Sequence, residues 1–339
     1  MKALVTGGGG YIGSVLVPRL LKEGYRVTVL DRFFFGKDKL KSVSKNPKVK
    51  LVQDDTRWFD KKILKNIDVV MDLAALSNDP SGELDPKKTM EINFKGRARV
   101  AQLCKQQGVK RYILASSCSI YGFRDGELDE KSPINPLTTY AKANRKAEIN
   151  AKKLSDDKFT TTMLRFATVF GLSPRMRFDL AVNGMTLGFF KNKQIPIMRD
   201  GNQWRPFIHV KDVAEAYITA INAPKEKING EIFNVGSDDQ NYQILQLAKE
   251  VAKAMRIPFK KQWYGDPDSR SYKISFKKIN KTLGYKTKYS VSDGAREIYD
   301  ALKKGKTIDS IQTKTMDWYK YLIDAQKISD SIIMNGKVL

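Results

Sequence analysis

The sequence predicts an α/β protein: a doubly wound parallel sheet joined to a smaller, mixed α/β lobe. Two observations carry that expectation. Short apolar strand patterns alternate with helical patterns as far as Gly171, and repeated strand–helix units with short connections pair in parallel. Past Gly171 the pattern changes, and Pro174, Pro196, Pro206 and Pro224 punctuate shorter elements.

The first unit is the most informative. Ala3-Leu4-Val5 reads as a buried strand, and Thr6-Gly7-Gly8-Gly9-Gly10-Tyr11-Ile12-Gly13 turns the chain into a helix beginning near Tyr11 and running through Leu16, Leu20 and Leu21 to Gly24. Glycines at this spacing let backbone N–H groups approach a pyrophosphate, with the helix N-terminus facing its charge. The strand before, the helix after and an acid downstream separate this from a bare glycine-rich turn. Gly7, Gly10, Tyr11, Ile12 and Gly13 are therefore expected to hold a dinucleotide in a Rossmann-type fold.

The second strand, 25–30, ends in Asp31, 18 residues past Gly13. A carboxylate there accepts hydrogen bonds from ribose hydroxyls and repels a 2′-phosphate, which favours NAD over NADP; Arg32 beside it pulls the other way. The third strand, 49–52, leads to Asp54, Asp55 and Thr56, and the last two are expected at the adenine edge. The fourth, 68–73, ends in Leu73-Ala74-Ala75, small residues against which a cofactor can lie. A helix follows over 87–107, with Ile92, Val100 and Leu103 on its apolar face, then a strand at 111–115, a helix at 138–154 and an extended stretch at 161–169. Further helices are expected at 211–221, 243–255 and 292–303. These elements divide the chain into a dinucleotide-binding domain, 1–171 with 206–237 returning to it, and a substrate lobe of 172–205 and 238–339. A cleft between the lobes is the natural substrate site.

Composition narrows the class. The 339 residues are 41% hydrophobic, enough for a core, and hold no apolar run long enough to span a membrane. The chain enters a strand at once, so no secretory signal is expected and the setting is cytoplasmic. Cys104 and Cys118 are too few for a disulfide framework. Net charge is +24, but the lysines and arginines are scattered. That reads as a solvated basic surface, and nucleic acid is not an expected partner. One histidine and two separated cysteines offer no metal site; His209 is expected to be structural.

Three further segments bear chemistry. Ala115-Ser116-Ser117-Cys118-Ser119-Ile120-Tyr121-Gly122 places hydroxyls at a strand end. Pro133-Ile134-Asn135-Pro136-Leu137-Thr138-Thr139-Tyr140-Ala141-Lys142 starts a helix with a tyrosine. Leu73-Ala74-Ala75 closes a strand. With the glycine turn, Leu164-Arg165, the stretch from Arg205 to Ala214 and Phe233-Asn234-Val235-Gly236, they resemble the extended short-chain dehydrogenase/reductase superfamily over almost the whole chain, in its NAD-dependent nucleotide-sugar epimerase/dehydratase branch.

The resemblance implies that Tyr140 is the general acid/base on a sugar hydroxyl and that Ser117 hydrogen-bonds the same oxygen. NAD then takes a hydride, leaving a transient keto-sugar; an epimerase returns it to the opposite face, and a dehydratase first eliminates water. A sugar alcohol gives up hydride readily only if its proton leaves to a nearby base, and the nicotinamide is the electron sink. The resemblance also implies a homodimer through two helices of the larger lobe. For the nucleotide-diphosphate sugar it points to Arg205 and Arg270 at the pyrophosphate, where bidentate guanidinium contacts suit the task. It adds Arg175, Arg177 and Asp179 in a loop gripping the nucleotide, with Ser77 and Thr168 beside them; relatives often carry asparagine where Thr168 stands.

Two departures matter. The family pattern is Tyr-x-x-x-Lys, yet Asn144 stands four residues after Tyr140. Asparagine can hydrogen-bond the nicotinamide ribose but has no charge, and Lys142 and Lys146 face other directions on a helix. A tyrosine near its ordinary pKa of about 10 is a poor base at neutral pH, so weak turnover is expected there. Secondly, Cys118 and Ser119 occupy the places of the dehydratase Asp-Glu pair. This argues against an ordinary 4,6-dehydratase and leaves Cys118 as a candidate proton donor or a small buried thiol. The leading expectation is an NAD-dependent epimerase. The alternatives are a dehydratase or keto-sugar reductase, or a weakly active or non-catalytic NAD- or RNA-binding relative.

Overall fold

The computed structural model describes residues 1–266 and 270–337. Residues 267–269 and 338–339 of the expected substrate lobe lie outside the described residues. Seven parallel strands form the central sheet. Across it they lie in the order Val49–Gln53, Arg26–Asp31, Lys2–Thr6, Val69–Asp72, Arg111–Ser117, Thr160–Phe166 and Glu231–Val235. The order reverses beside the first strand, which pairs with the second on one side and the fourth on the other. Ligands of such sheets bind in the crevice opened by that reversal, at the carboxyl ends of the strands.

Alternation along each strand serves both faces. Ala3 and Val5 pack with Leu16, Leu20, Val213 and Tyr217, from helices Gly13–Lys22 and Val210–Asn222. Leu4 packs on the opposite face with Val100, Cys104, Ala147 and Ala151, from helices Arg97–Gln106 and Thr139–Leu154. Both faces are covered, as an all-parallel sheet requires.

The expected lobe boundaries are crossed in several places. The extended stretch at 161–169 divides: Thr160–Phe166 stays in the central sheet, and Thr168–Phe170 joins a second one, parallel to Trp204–His209. Of 206–237, Val210–Asn222 and Glu231–Val235 lie with the central sheet, whereas the strand ending at His209 does not. Phe123–Leu128 pairs with Ser271–Ile274 from the other lobe. Helix Thr315–Ile332 returns to the second strand's end, where the Trp318 indole donates to the Phe34 carbonyl at 2.8 Å. A further core joins Val182, Met185, Leu247, Val251, Val291 and Ala295 with Phe170 and Phe207, which the expected boundaries place in the other lobe.

The expected helix at 87–107 is not uniform. Pro86–Met90 and Arg97–Gln106 are joined by one wide π turn, Glu91–Gly96. Asn93 in that turn accepts from the Leu76 N–H at 2.8 Å and donates to the Leu76 carbonyl at 3.0 Å. Gly96 sits so close to Thr56 that a Cβ would lie 2.9 Å from its hydroxyl. Such turns re-aim the side chains that follow them.

A buried ionic network fixes the helix that carries Tyr140. Glu148, fully buried, takes two 2.8 Å bonds from the Arg165 guanidinium and a 2.6 Å bond from Ser116. Arg165 also donates to the Tyr121 hydroxyl, which donates to Asn234. Removing one partner of a buried pair strands the other charge. Glu148→Gln is expected to cost about 3–5 kcal/mol in urea denaturation, and the double change Glu148→Leu with Arg165→Met to recover most of it.

Candidate functional site

A cleft of about 830 Å³ opens over the carboxyl ends of the strands. Strand order sets the sequence of residues along its floor: Asp31 ends the second strand, the glycine turn follows the first, Leu73-Ala74-Ala75 follows the fourth, and Ser117 ends the fifth. Three strand spacings separate the outer pair, roughly 14 Å.

The turn is built on contacts that exclude side chains. Gly7 has φ of 68°, and a Cβ there would lie 2.9 Å from the Ala74 nitrogen; a Cβ on Gly13 would lie 2.5 Å from the Gly7 carbonyl oxygen. The following helix is Gly13–Lys22, starting two residues later than the sequence suggests, and Gly10, Tyr11, Ile12 and Gly13 line the cleft at its N-terminus. Asp31 accepts from the Gly9 N–H at 2.9 Å and the Phe33 N–H at 2.6 Å. Burial raises its pKa, and those two N–H groups with Arg175 oppose the rise. Arg32 reaches Asp55 at 3.1 Å, over the rings of Phe34 and Trp58. Asp55 is also bonded by Arg57, and Thr56 lines the cleft next to it.

The proposed substrate arginines behave differently from one another. Arg177 forms a two-pronged pair with Asp179, at 3.1 and 2.7 Å, and donates to the Ser77 carbonyl at 2.9 Å. Asp179 also accepts from Asn78. Ser77, Arg177 and Asp179 therefore spend their polar atoms on one another as a clamp across the cleft. Arg205 and Arg270 meet at the other end: Arg205 donates to the Arg270 carbonyl and lies over the Tyr272 ring, while Arg270 pairs with Asp79. Thr168 lines the wall between these groups.

Arg175 is the exception. It is buried, one Nη donates to Thr315 at 2.9 Å, and the guanidinium lies 3.6 Å from the Phe35 ring centroid. Its Nε and other Nη have no partner among the described residues. Burial, aided by Arg177, pushes its pKa down to about 10. It faces the glycine turn and Asp31, with Tyr319 of the C-terminal helix beside it. Buried donors with no protein partner mark a place for an anion. The residues thus fit a dinucleotide: a glycine turn at a helix N-terminus, a carboxylate for ribose, and a buried cation with open donors.

At the far side stand Tyr140, Ser117 and Ser119. Burial raises the Tyr140 pKa; Arg97 pulls it back, Asp79 pushes it up, and hydrogen bonding to Asn144 and Ser117 lowers it. Two of the candidate catalytic residues, Cys118 and Asn144, are not among the residues that line the cleft. The Cys118 thiol donates to the Arg165 carbonyl at 3.3 Å, and burial drives its pKa far up, so it faces the core as a small hydrophobe. Asn144 does not line the cleft either, although it stays beside Tyr140. It is 1% exposed, accepts from Arg97 Nη1 at 2.7 Å and donates to the Tyr140 carbonyl at 3.1 Å. The cleft wall in front of it is Arg97, whose Nε donates to the Ala74 carbonyl at 3.0 Å. The cation stands outside the Tyr140 helix: Arg97 lies 47 residues before Asn144 in the chain, so the spacing around Tyr140 does not announce it. His209 is structural: fully buried, its Nε2 lies 2.6 Å from Glu297 and its Nδ1 accepts from the Lys211 N–H.

Strand order, the glycine turn and the hydroxyl side chains of Ser117 and Tyr140 in one cleft define a dinucleotide-dependent enzyme of the Rossmann class. The chain belongs to the NAD dependent epimerase/dehydratase family, whose pattern matches residues 3–236. It is 31% identical over 317 residues to a UDP-glucose 4-epimerase of Lactobacillus helveticus, covering 86% of this chain and 94% of the relative. It is 28% identical to UDP-glucuronic acid decarboxylase 1 of Arabidopsis thaliana, over 87% of this chain and 68% of the relative. Among solved structures it is similar to a Bacillus cereus UDP-glucuronic acid 4-epimerase in complex with UDP-glucuronic acid and NAD. That likeness has a TM-score of 0.81 at 26% identity, covering 90% of this chain and 99% of the other.

The half-satisfied cation gives a test. Arg175→Met is expected to raise the melting temperature of the cofactor-free protein, because a buried charge with open donors is removed. The same change is expected to weaken NAD binding at least about tenfold by calorimetry, the loss of about 1.4 kcal/mol of charged contact.

Proposed function

We propose that the protein is an NAD-dependent epimerase of a nucleotide-diphosphate sugar, working through a transient keto-sugar. The observation that carries this is that Tyr140 and Ser117 line the same cleft, in which the two positions after Ser117 hold no carboxylate. NAD, when bound, accepts and returns hydride. Tyr140 takes the proton of the sugar hydroxyl and later gives it back, and Ser117 holds the same oxygen in line. Expelling a hydroxyl needs an acid next to the leaving group; Cys118, turned into the core, and the Ser119 alcohol do not provide one.

The cofactor is assigned to Gly7, Gly10, Tyr11, Ile12, Gly13, Asp31, Thr56 and Leu73–Ala75, with Arg175 transferred from the substrate to the pyrophosphate of the dinucleotide. Arg205 and Arg270 remain the groups for the sugar nucleotide's pyrophosphate. Ser77, Arg177 and Asp179 hold the cleft walls together rather than the ligand. A uridine nucleotide is favoured by the names of the relatives. The same reading carries a homodimer, which light scattering would register at twice the 38.5 kDa chain mass.

The test is incubation of the NAD-loaded protein with UDP-, GDP-, CDP- and dTDP-sugars, UDP-glucuronic acid among them, followed by NMR in deuterated water. An epimer that keeps the hydrogen of the oxidised carbon and gains no deuterium supports the proposal. A dehydrated or decarboxylated product, or no product from any sugar, overturns it. Tyr140→Phe is expected to lower turnover at least 100-fold, the scale of a lost proton-transfer group.

A further inference from the structure

The Tyr140 helix has no lysine four residues on, yet a cation reaches the same place from another helix. We propose that Arg97 is the positioning residue for Tyr140: its guanidinium, steadied by Asn144, does the electrostatic work of the lysine in a Tyr-x-x-x-Lys helix. This rests on Tyr140 being the proton-transfer group.

The geometry is specific. Arg97 follows the wide turn Glu91–Gly96 and is 3% exposed. It is held at two points, the Ala74 carbonyl at 3.0 Å and the Asn144 side-chain oxygen at 2.7 Å. Asn144 is in turn oriented by its bond to the Tyr140 carbonyl. A guanidinium has only donors, so the residue behind it must be an acceptor. A lysine at 144 would set an ammonium against the guanidinium, a costly like-charge contact in a buried setting. Asparagine at 144 and arginine at 97 are thus complementary: each residue makes sense of the other.

Other charges face this cluster. Asp72, buried at the end of the fourth strand, accepts from Tyr112 at 2.6 Å, and Arg97 lowers its raised pKa. Asp79, at the start of the short helix Asp79–Gly82, is paired with Arg270 and opposes ionisation of Tyr140. Tyr112 and Tyr217 are buried nearby, their pKa values pushed up by burial and pulled back in part by Arg97. Of the groups acting on Tyr140, Arg97 is the foremost that favours the phenolate.

The test is NMR of NAD-loaded protein labelled with ¹³Cζ-tyrosine, the Tyr140 resonance assigned by its loss in Tyr140→Phe. Its pH titration is compared among wild type, Arg97→Gln, Arg97→Lys and the double change Arg97→Gln with Asn144→Lys. Arg97→Gln is expected to move the curve up by at least about one pH unit, a tenfold drop in phenolate at a given pH. Arg97→Lys and the double change are expected to return it most of the way, because each restores a cation. Circular dichroism confirms folding, and if Arg97→Gln does not fold it is replaced by Arg97→Met, which also removes the cation and for which the same upward movement is expected. Coincident curves for wild type and Arg97→Gln, or no recovery in the double change, overturn the proposal. No sugar is used, so a failure here is separate from a failure of the epimerase reading, which the product assay alone decides.

Discussion

Arg97 enters the floor of the cleft from a wide helical turn and must be satisfied by what it meets there. It meets the Ala74 carbonyl and the Asn144 side chain, and through Asn144 the backbone of Tyr140. These bonds tie the loop after the fourth strand, the helix after the wide turn and the Tyr140 helix into one unit. A buried arginine without such acceptors would be strongly destabilising. The tyrosine's position, the identity of residue 144 and the shape of the turn at Glu91–Gly96 therefore depend on one another.

The sheet supplies the rest of the arrangement. Reversal of strand order next to the first strand opens the crevice, and the order of strand ends lays out carboxylate, glycine turn, small residues and hydroxyls along one line. Segments distant in the chain close it by interleaving. Phe123–Leu128 from one lobe pairs with Ser271–Ile274 from the other, and the C-terminal helix brings Thr315 and Tyr319 to Arg175. Arg175 keeps two donors open at a cost in stability, the pattern of a site shaped for its ligand rather than for the empty protein.

What could be read from the sequence was mainly local. The glycine turn, the apolar strands and Asp31 announce themselves because strand, turn and helix are contiguous, and spacing alone conveys their geometry. Ser117 and Tyr140 came from motif likeness, and they share the cleft. The failures share a cause: they depend on contacts distant in sequence. Thr168–Phe170 leaves the central sheet because it pairs with Phe207–His209, which no local pattern declares. Cys118 looks reactive between two serines, but the Arg165 carbonyl it meets is 47 residues on. Arg97 sits in a stretch that reads as ordinary amphipathic helix, so the missing lysine seemed to leave Tyr140 without a cation. Its signal was an arginine just after Gly96, next to a helix lacking its lysine, and it becomes legible only when the two helices are seen side by side.

The most direct measurement is a crystal structure of the protein with NAD bound. Arg97 is predicted to keep its bonds to Ala74 and Asn144 and to present its guanidinium between the Tyr140 hydroxyl and the nicotinamide ribose, with Asn144 behind it. An Asn144 side chain turned onto the ribose, with Arg97 withdrawn to Asp72 or out of the cleft, would contradict the charge-transfer of roles between residues 144 and 97.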